Sequence, residues 1–191
     1  MPLKTEQPVL TVFAGPNGSG KSTITQRVVV RGLYINADDI MQRSGCSDLK
    51  AAQEAEKIRE HCLREKLDFA FETVLSTSRN LDLIARARGV GYFIDGYFIL
   101  TVDPELNVQR IKCRVLSGGH AVPPGKTRER YAKSLRNLPR LIELCDRIKV
   151  VDNTDLPRVI FVKEEERQVV SPNRYWSPQE IQALTGCAPL R

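Results

Sequence analysis

No stretch of the chain holds the roughly 20 consecutive apolar residues that a membrane-spanning helix needs, so no membrane partner is expected. The opening MPLKTEQPVL lacks the basic-then-apolar order of a secretory leader, and a cytoplasmic protein is expected. The five cysteines, Cys46, Cys62, Cys113, Cys145 and Cys187, stand singly. An odd count without CxxC spacing argues against a disulfide framework and against a zinc site, and leaves thiols in a reducing compartment. Histidine occurs twice, as His61 and His120, with no second ligand at metal spacing. Aromatics make up only 6% and are not interleaved with the basic residues, so the signature of a nucleic-acid reader is missing. Internal repeats and low-complexity linkers are also missing, and one domain over 1–191 is the simplest organisation.

What is present is ordinary for a globular protein: 41% hydrophobic and 27% charged residues, in a length that can bury a full core. The net charge of +6 gathers in RIKCRVLSGGHAVPPGKTRERYAKSLRNLPR, residues 110–140. A protein that clamps triphosphates needs such a local cluster.

Apolar runs alternate with helical patterns. Strands are expected at 9–13, 33–39, within 68–77, where the strand runs into a polar turn, at 92–102 and at 147–154, with one or two more in 158–170, where 163–166 suits a hairpin turn. Helices are expected at 22–30, 49–66, 80–88, 104–116 and 131–145, with a short capped one in SPQEIQALTG. This alternation predicts an α/β fold, a parallel sheet covered by helices on both faces.

The sharpest motif is GPNGSGKS at 15–22, which fits G-x-x-x-x-G-K-[ST]. Glycines let backbone N–H groups wrap a phosphate, and the following helix adds its positive end. Gly15, Pro16, Asn17, Gly18, Ser19, Gly20, Lys21, Ser22 and Thr23 are therefore expected to bind ATP. Lys21 would reach the outer phosphates and Ser22 would help hold Mg²⁺. A strand before and a helix after are the context that the motif requires.

The fate of the phosphate depends on the ends of the other strands, where ligands of open α/β sheets sit. INADD brings Asp38 and Asp39. One could take the proton of a substrate hydroxyl, the other could belong to the magnesium shell, and either could instead begin a helix. FAFETVLST brings Glu72 and Thr73. A glutamate in an apolar strand is costly unless it leaves the core at the sheet's end. Substrate-hydroxyl or magnesium-water contact would account for it, as would a buried ion pair. In the basic segment Arg114, Arg128 and Arg130 lie near the glycine-histidine-proline turn, and phosphate contact is expected of them. Arg110, Lys112 and Lys133 read as a solvated helix face. For His120, turn stabilisation and phosphate contact both stay open; His61 reads as structural.

The phosphate loop, INADD, FETVLST, RVLSGGHAVP…RERYAKSLRNL and VVDNT follow one another in the order and rough spacing of zeta-toxin-like P-loop kinases, and residues 9–154 resemble that family. The GGH-VP segment with R-x-R-Y and SLRNL is the specific part. The resemblance implies a kinase-type parallel sheet with a mobile arginine-bearing lid at about 110–130. It implies phosphoryl transfer from ATP to a nucleotide-sugar hydroxyl, such as the 3′-hydroxyl of UDP-N-acetylglucosamine, and an antitoxin protein as partner. Carried across, Asp38 matches the catalytic base, Lys21 the phosphate-loop lysine and Glu72 the acid of the third strand. Arg114, Arg128 and Arg130 fall in the lid, and VVDNT lies where related kinases place a loop beside the base. Two alternatives stay open: a kinase of nucleosides, nucleotides or polynucleotide ends, and a nucleotide-gated binding module without catalysis.

Overall fold

The computed structural model describes residues 7–117, 119 and 121–187. Seven strands form one sheet in the order β2-β3-β1-β4-β5-β6-β7. These are β1 (Val9–Ala14), β2 (Leu33–Ile35), β3 (Phe69–Thr73), β4 (Phe93–Leu100), β5 (Arg147–Asp152), β6 (Arg158–Glu164) and β7 (Arg167–Val170). The first five in this order pair in parallel, and β6 and β7 add antiparallel. The expected parallel sheet thus carries an antiparallel hairpin at one edge. Its turn falls between Glu164 and Arg167, at the expected place, with Glu165 in the left-handed region. No helix among the described residues is long and apolar enough to cross a membrane.

The helices are α1 (Lys21–Thr25), α2 (Ala37–Ser44), α3 (Asp48–Arg64), α4 (Arg79–Gly89), α5 (Pro104–Leu116), α6 (Pro124–Leu144) and α7 (Pro178–Thr185). Local chemistry accounts for several boundaries. Asp103 caps α5 by accepting from Glu105 N, with Pro104 in the first turn. Ser177 and Glu180 form a reciprocal capping box on α7, which ends at a left-handed Gly186.

Three boundaries depart from the sequence expectation. Helix α1 stops at Thr25 instead of continuing to residue 30. Arg27 and Val28 donate to carbonyls only three residues back, and the β-branched run Val28–Val29–Val30 resists helix. Strand β2 ends at Ile35, because Asn36 caps a new helix by accepting from Asp38 N at 3.0 Å. Asp38 and Asp39 thus occupy the first turn of α2, where the helix dipole favours carboxylates. Helix α6 begins at Pro124 rather than residue 131, so Arg128 and Arg130 ride on a helix.

The central strands are apolar on both faces, as a covered parallel sheet requires. Leu10, Val12, Phe69, Phe71, Ile94, Phe98, Ile148 and Val150 join one core with residues of α3, α4, α6 and α7. Polar side chains stand at the carboxyl ends of β3 and β5, and β1 runs straight into the phosphate loop.

Candidate active site

The loop that leaves β1 is held by the ends of neighbouring elements. Gly15 N donates to Thr73 O at 3.1 Å. Asn107, fully buried on α5, donates through Nδ2 to Asn17 O at 2.9 Å and accepts from Thr101 Oγ1. Asn153, just past β5, donates to Ser19 O at 2.7 Å. Gly20 explains its own identity: its φ is 88°, and a Cβ there would stand 2.2 Å from Asn153 Nδ2. The clamp and a side chain at position 20 cannot coexist.

Lys21 turns its ammonium into the loop and donates to Gly15 O at 2.7 Å and Pro16 O at 3.0 Å. Burial pulls its pKa down to about 8; Glu72 and Asp38 act in the opposite sense, and Arg114 pushes it further down. These four charges therefore share one field.

A cavity of 430 Å³ collects them. Asn17, Gly18, Gly20, Lys21, Ser22 and Thr23 line one side, Asp38, Glu72 and Thr73 another, and Arg110 and Arg114 of α5 a third. Elements far apart in the chain are joined here: the loop after β1, the first turn of α2, the end of β3 and one face of α5. Gly15, Pro16 and Ser19 support the loop from behind through the contacts already given.

Glu72 is held by two hydroxyl donors. Its Oε1 accepts from Tyr34 Oη at 2.6 Å and Thr25 Oγ1 at 3.1 Å, which fixes the carboxylate at the cavity wall. Thr73 turns its hydroxyl to Leu75 N and Asn80 Nδ2 and so braces the turn after β3. Asp39 lies in an adjoining cavity with Ser22, Asn36, Asp38 and Glu72. The hydroxyl of Ser22 and the carboxylates of Asp38, Asp39 and Glu72 are hard oxygen donors of the kind Mg²⁺ prefers. Among the described residues no three His, Cys, Asp or Glu side chains group closely enough to hold an ion by themselves. A metal here would need phosphate and water oxygens as well.

The basic segment divides. Arg114 lines the cavity, and its stem packs on Gly119, where a Cβ would come within 2.6 Å of Arg114 Cγ. Arg128 pairs with Glu105 through two hydrogen bonds, 2.5 and 2.9 Å, on the exposed side of α5 and α6. It does not line the cavity, and neither does the half-buried Arg130. His120 lies outside the described residues. Arg110, expected on a solvated face, instead donates to Asn153 O and Thr154 O at 2.9 and 3.0 Å and joins the cavity wall. Sequence reasoning also missed Asn107, Tyr34 and Thr25. Asn107 falls inside a helical pattern without any motif, and only its total burial marks it.

No family model matches the chain. An uncharacterized protein of Haemophilus influenzae is 27% identical over 125 residues, covering 62% of this chain and 89% of that protein. A chain of the PezAT chromosomal toxin–antitoxin system of Streptococcus pneumoniae superposes with a TM-score of 0.55 at 15% identity, covering 96% of this chain and 86% of that one. A chain of the AvrRxo1-ORF1:AvrRxo1-ORF2 complex superposes with 0.70 at 14% identity, and in the crystal with ATP with 0.67. These matches cover 94% of this chain, which spans just under two thirds of that one, 64%. Strand order, phosphate loop and these likenesses together give the chain the P-loop kinase fold, the fold that its resemblance to zeta-toxin-like kinases implies.

Proposed function

We propose that the protein is an ATP- and Mg²⁺-dependent kinase that transfers the γ-phosphate to a hydroxyl of a small molecule. The observation that carries this reading is a single cavity that joins phosphate-binding groups, Lys21, Ser22 and Arg114, to the carboxylates of Asp38 and Glu72. The loop fits a phosphate group. Ser19 Oγ, a hydroxyl able to donate, is buried without a hydrogen-bond partner, and the Lys21 ammonium rests on loop carbonyls from which a phosphate would draw it. Mg²⁺ would be held by Ser22 with phosphate oxygens, and it would neutralise charge on the transferring group. Asp38 stands in the first turn of α2 and lines the same cavity as the loop; in this reading it accepts the proton of the attacking hydroxyl. Arg114 stabilises the charge that spreads over the equatorial oxygens.

UDP-N-acetylglucosamine, the acceptor implied by the family resemblance, is the first compound to assay. The likeness to a chain of the PezAT toxin–antitoxin system supports an antitoxin protein as a partner. A binding module without catalysis would need no carboxylate beside the phosphate loop, so Asp38 and Glu72 count against it.

The test uses the pure protein, γ-labelled ATP and pooled metabolites, with Asp38→Asn as the comparison. Label should pass to an acceptor with the wild type. The variant should lose about 10²–10⁴ in rate while its affinity for Mg-ATP barely moves. Transfer at the wild-type rate by Asp38→Asn would exclude the general-base role. Loss of ATP affinity instead would make Asp38 an organiser of the metal.

A further inference from the structure

We infer that the acceptor hydroxyl belongs to an uncharged or amino-bearing polyol, not to a phosphate ester; this rests on the kinase reading and departs from the nucleotide sugar that the resemblance implies. The observation is a second cavity of 420 Å³ between α1, α2 and the ends of β2 and β3. It shares Ser22, Asn36, Asp38 and Glu72 with the phosphate cavity. It therefore opens where a γ-phosphate would meet Asp38. Its volume falls in the lower part of the range of small-ligand sites, about 300–1,000 Å³.

The two cavities divide the charge. Lys21, Arg110 and Arg114 line the phosphate side. No Lys or Arg is among the described residues that line the second cavity. It carries instead the side-chain amides of Gln26, Asn36 and Gln42 and the phenol of Tyr34. Amides and hydroxyls both donate and accept, which is what a ring of hydroxyl groups requires. Three carboxylates, Asp38, Asp39 and Glu72, complete the wall. Glu72 is bound by Tyr34 and Thr25, two uncharged donors, and Lys21, the cation of α1 that couples to it, lines the phosphate side. Desolvation and Glu72 both raise the pKa of Tyr34, which keeps the phenol a donor.

A phosphate ester in this cavity would meet those carboxylates and the nucleotide's own phosphates at short range, with no guanidinium to clamp it. A magnesium held at Ser22 would already be shared with the nucleotide. A neutral polyol escapes this repulsion, and an ammonium group on it gains attraction. Specificity here comes from rejecting one charge type as much as from recognising hydroxyls.

The experiment uses acceptors matched in all but charge, with Mg-ATP and the full chain. The sets are glucosamine, N-acetylglucosamine, N-acetylglucosamine 1-phosphate and UDP-N-acetylglucosamine; uridine and UMP; inositol and inositol 1-phosphate. Within any set that is phosphorylated, kcat/KM should be at least tenfold higher for the uncharged or amino-bearing member. Gln42→Lys, an exposed change on α2, should shrink or invert that ratio by placing a cation in the cavity. Preference for the phosphorylated members, or a ratio that Gln42→Lys leaves unmoved, overturns the inference and leaves the kinase reading standing. Absence of transfer to every member, while ATP still binds, overturns both.

Discussion

Lys21 shows how one residue can carry a motif's chemistry and also report on it. The phosphate-loop pattern requires a cation at this position, yet burial holds its pKa at about 8. A bound triphosphate favours the ammonium and raises that value. The complex therefore keeps a proton that the free protein loses as pH rises through about 8. ATP affinity should be flat below pH 8 and decline above it, approaching tenfold per pH unit, as the linkage requires. Binding at pH 8.5 should take up a proton, measurable by calorimetry in two buffers of different ionisation enthalpy. Lys21→Arg, which stays charged, should show neither effect. A pH-independent affinity of the wild type from 7 to 9.5 would mean that the ammonium is not buried as described.

At the scale of elements, the basic segment is two helix faces with different duties. Closeness to the turn marks Arg114, Arg128 and Arg130 alike in the sequence, but α6 begins at Pro124, seven residues before the expected start at 131. That start carries Arg128 onto the outer side, where Glu105 engages it. Exposed pairs of this kind are worth little. Arg128→Ala should leave kcat within about twofold, while Arg114→Ala should lower it by roughly the 10³ or more that transition-state arginines supply. Gly119→Ala should follow Arg114→Ala in direction with intact arginine, because the new methyl displaces its stem. Steady-state kinetics on the three variants checks the order. Equal losses at Arg114 and Arg128 would mean that the helices rearrange on binding. A second inter-element device is the chain from Tyr131 Oη to Thr101 O, from Thr101 Oγ1 to Asn107, and from Asn107 to Asn17 O. It couples α6 to the phosphate loop through α5. Asn107→Ala should raise KM for ATP more than it lowers kcat, since it loosens the loop without removing a reacting group.

The whole molecule separates the site from its support. The cavity residues come from the loop after β1, the end of β3, the first turn of α2 and α5, whereas the main core joins the strands to α3, α4, α6 and α7. The carboxyl-terminal helix belongs to that core: Ile181 is fully buried, and Trp176 is nearly so. Ile181→Ala should cost about 2–5 kcal/mol of stability, read as a lower denaturation midpoint. ATP affinity measured well below that midpoint should stay unchanged. A large change in ATP affinity without loss of stability would show that α7 acts on the site directly.

The sequence alone determined the alternation of strands and helices, the parallel centre of the sheet, the hairpin turn and the phosphate loop. Each rests on local spacing: apolar runs, capping residues, and a glycine pattern that backbone geometry demands. Asp38, Glu72, Lys21 and Arg114 were legible because each stands next to a motif or at the end of a strand. Tertiary structure decided the rest. Asn36 made a helix cap of what read as a strand end, because one side-chain hydrogen bond outweighs a short run of strand propensity. Asn107 and Asn153 became loop clamps, and Arg110 a cavity wall, through contacts 90, 134 and 43 residues apart in the chain. No local pattern encodes such distances. The partition of charge between two adjoining cavities likewise exists only once β1, β3, α2 and α5 stand side by side. Charge acts through space, and the sequence orders residues only along the chain.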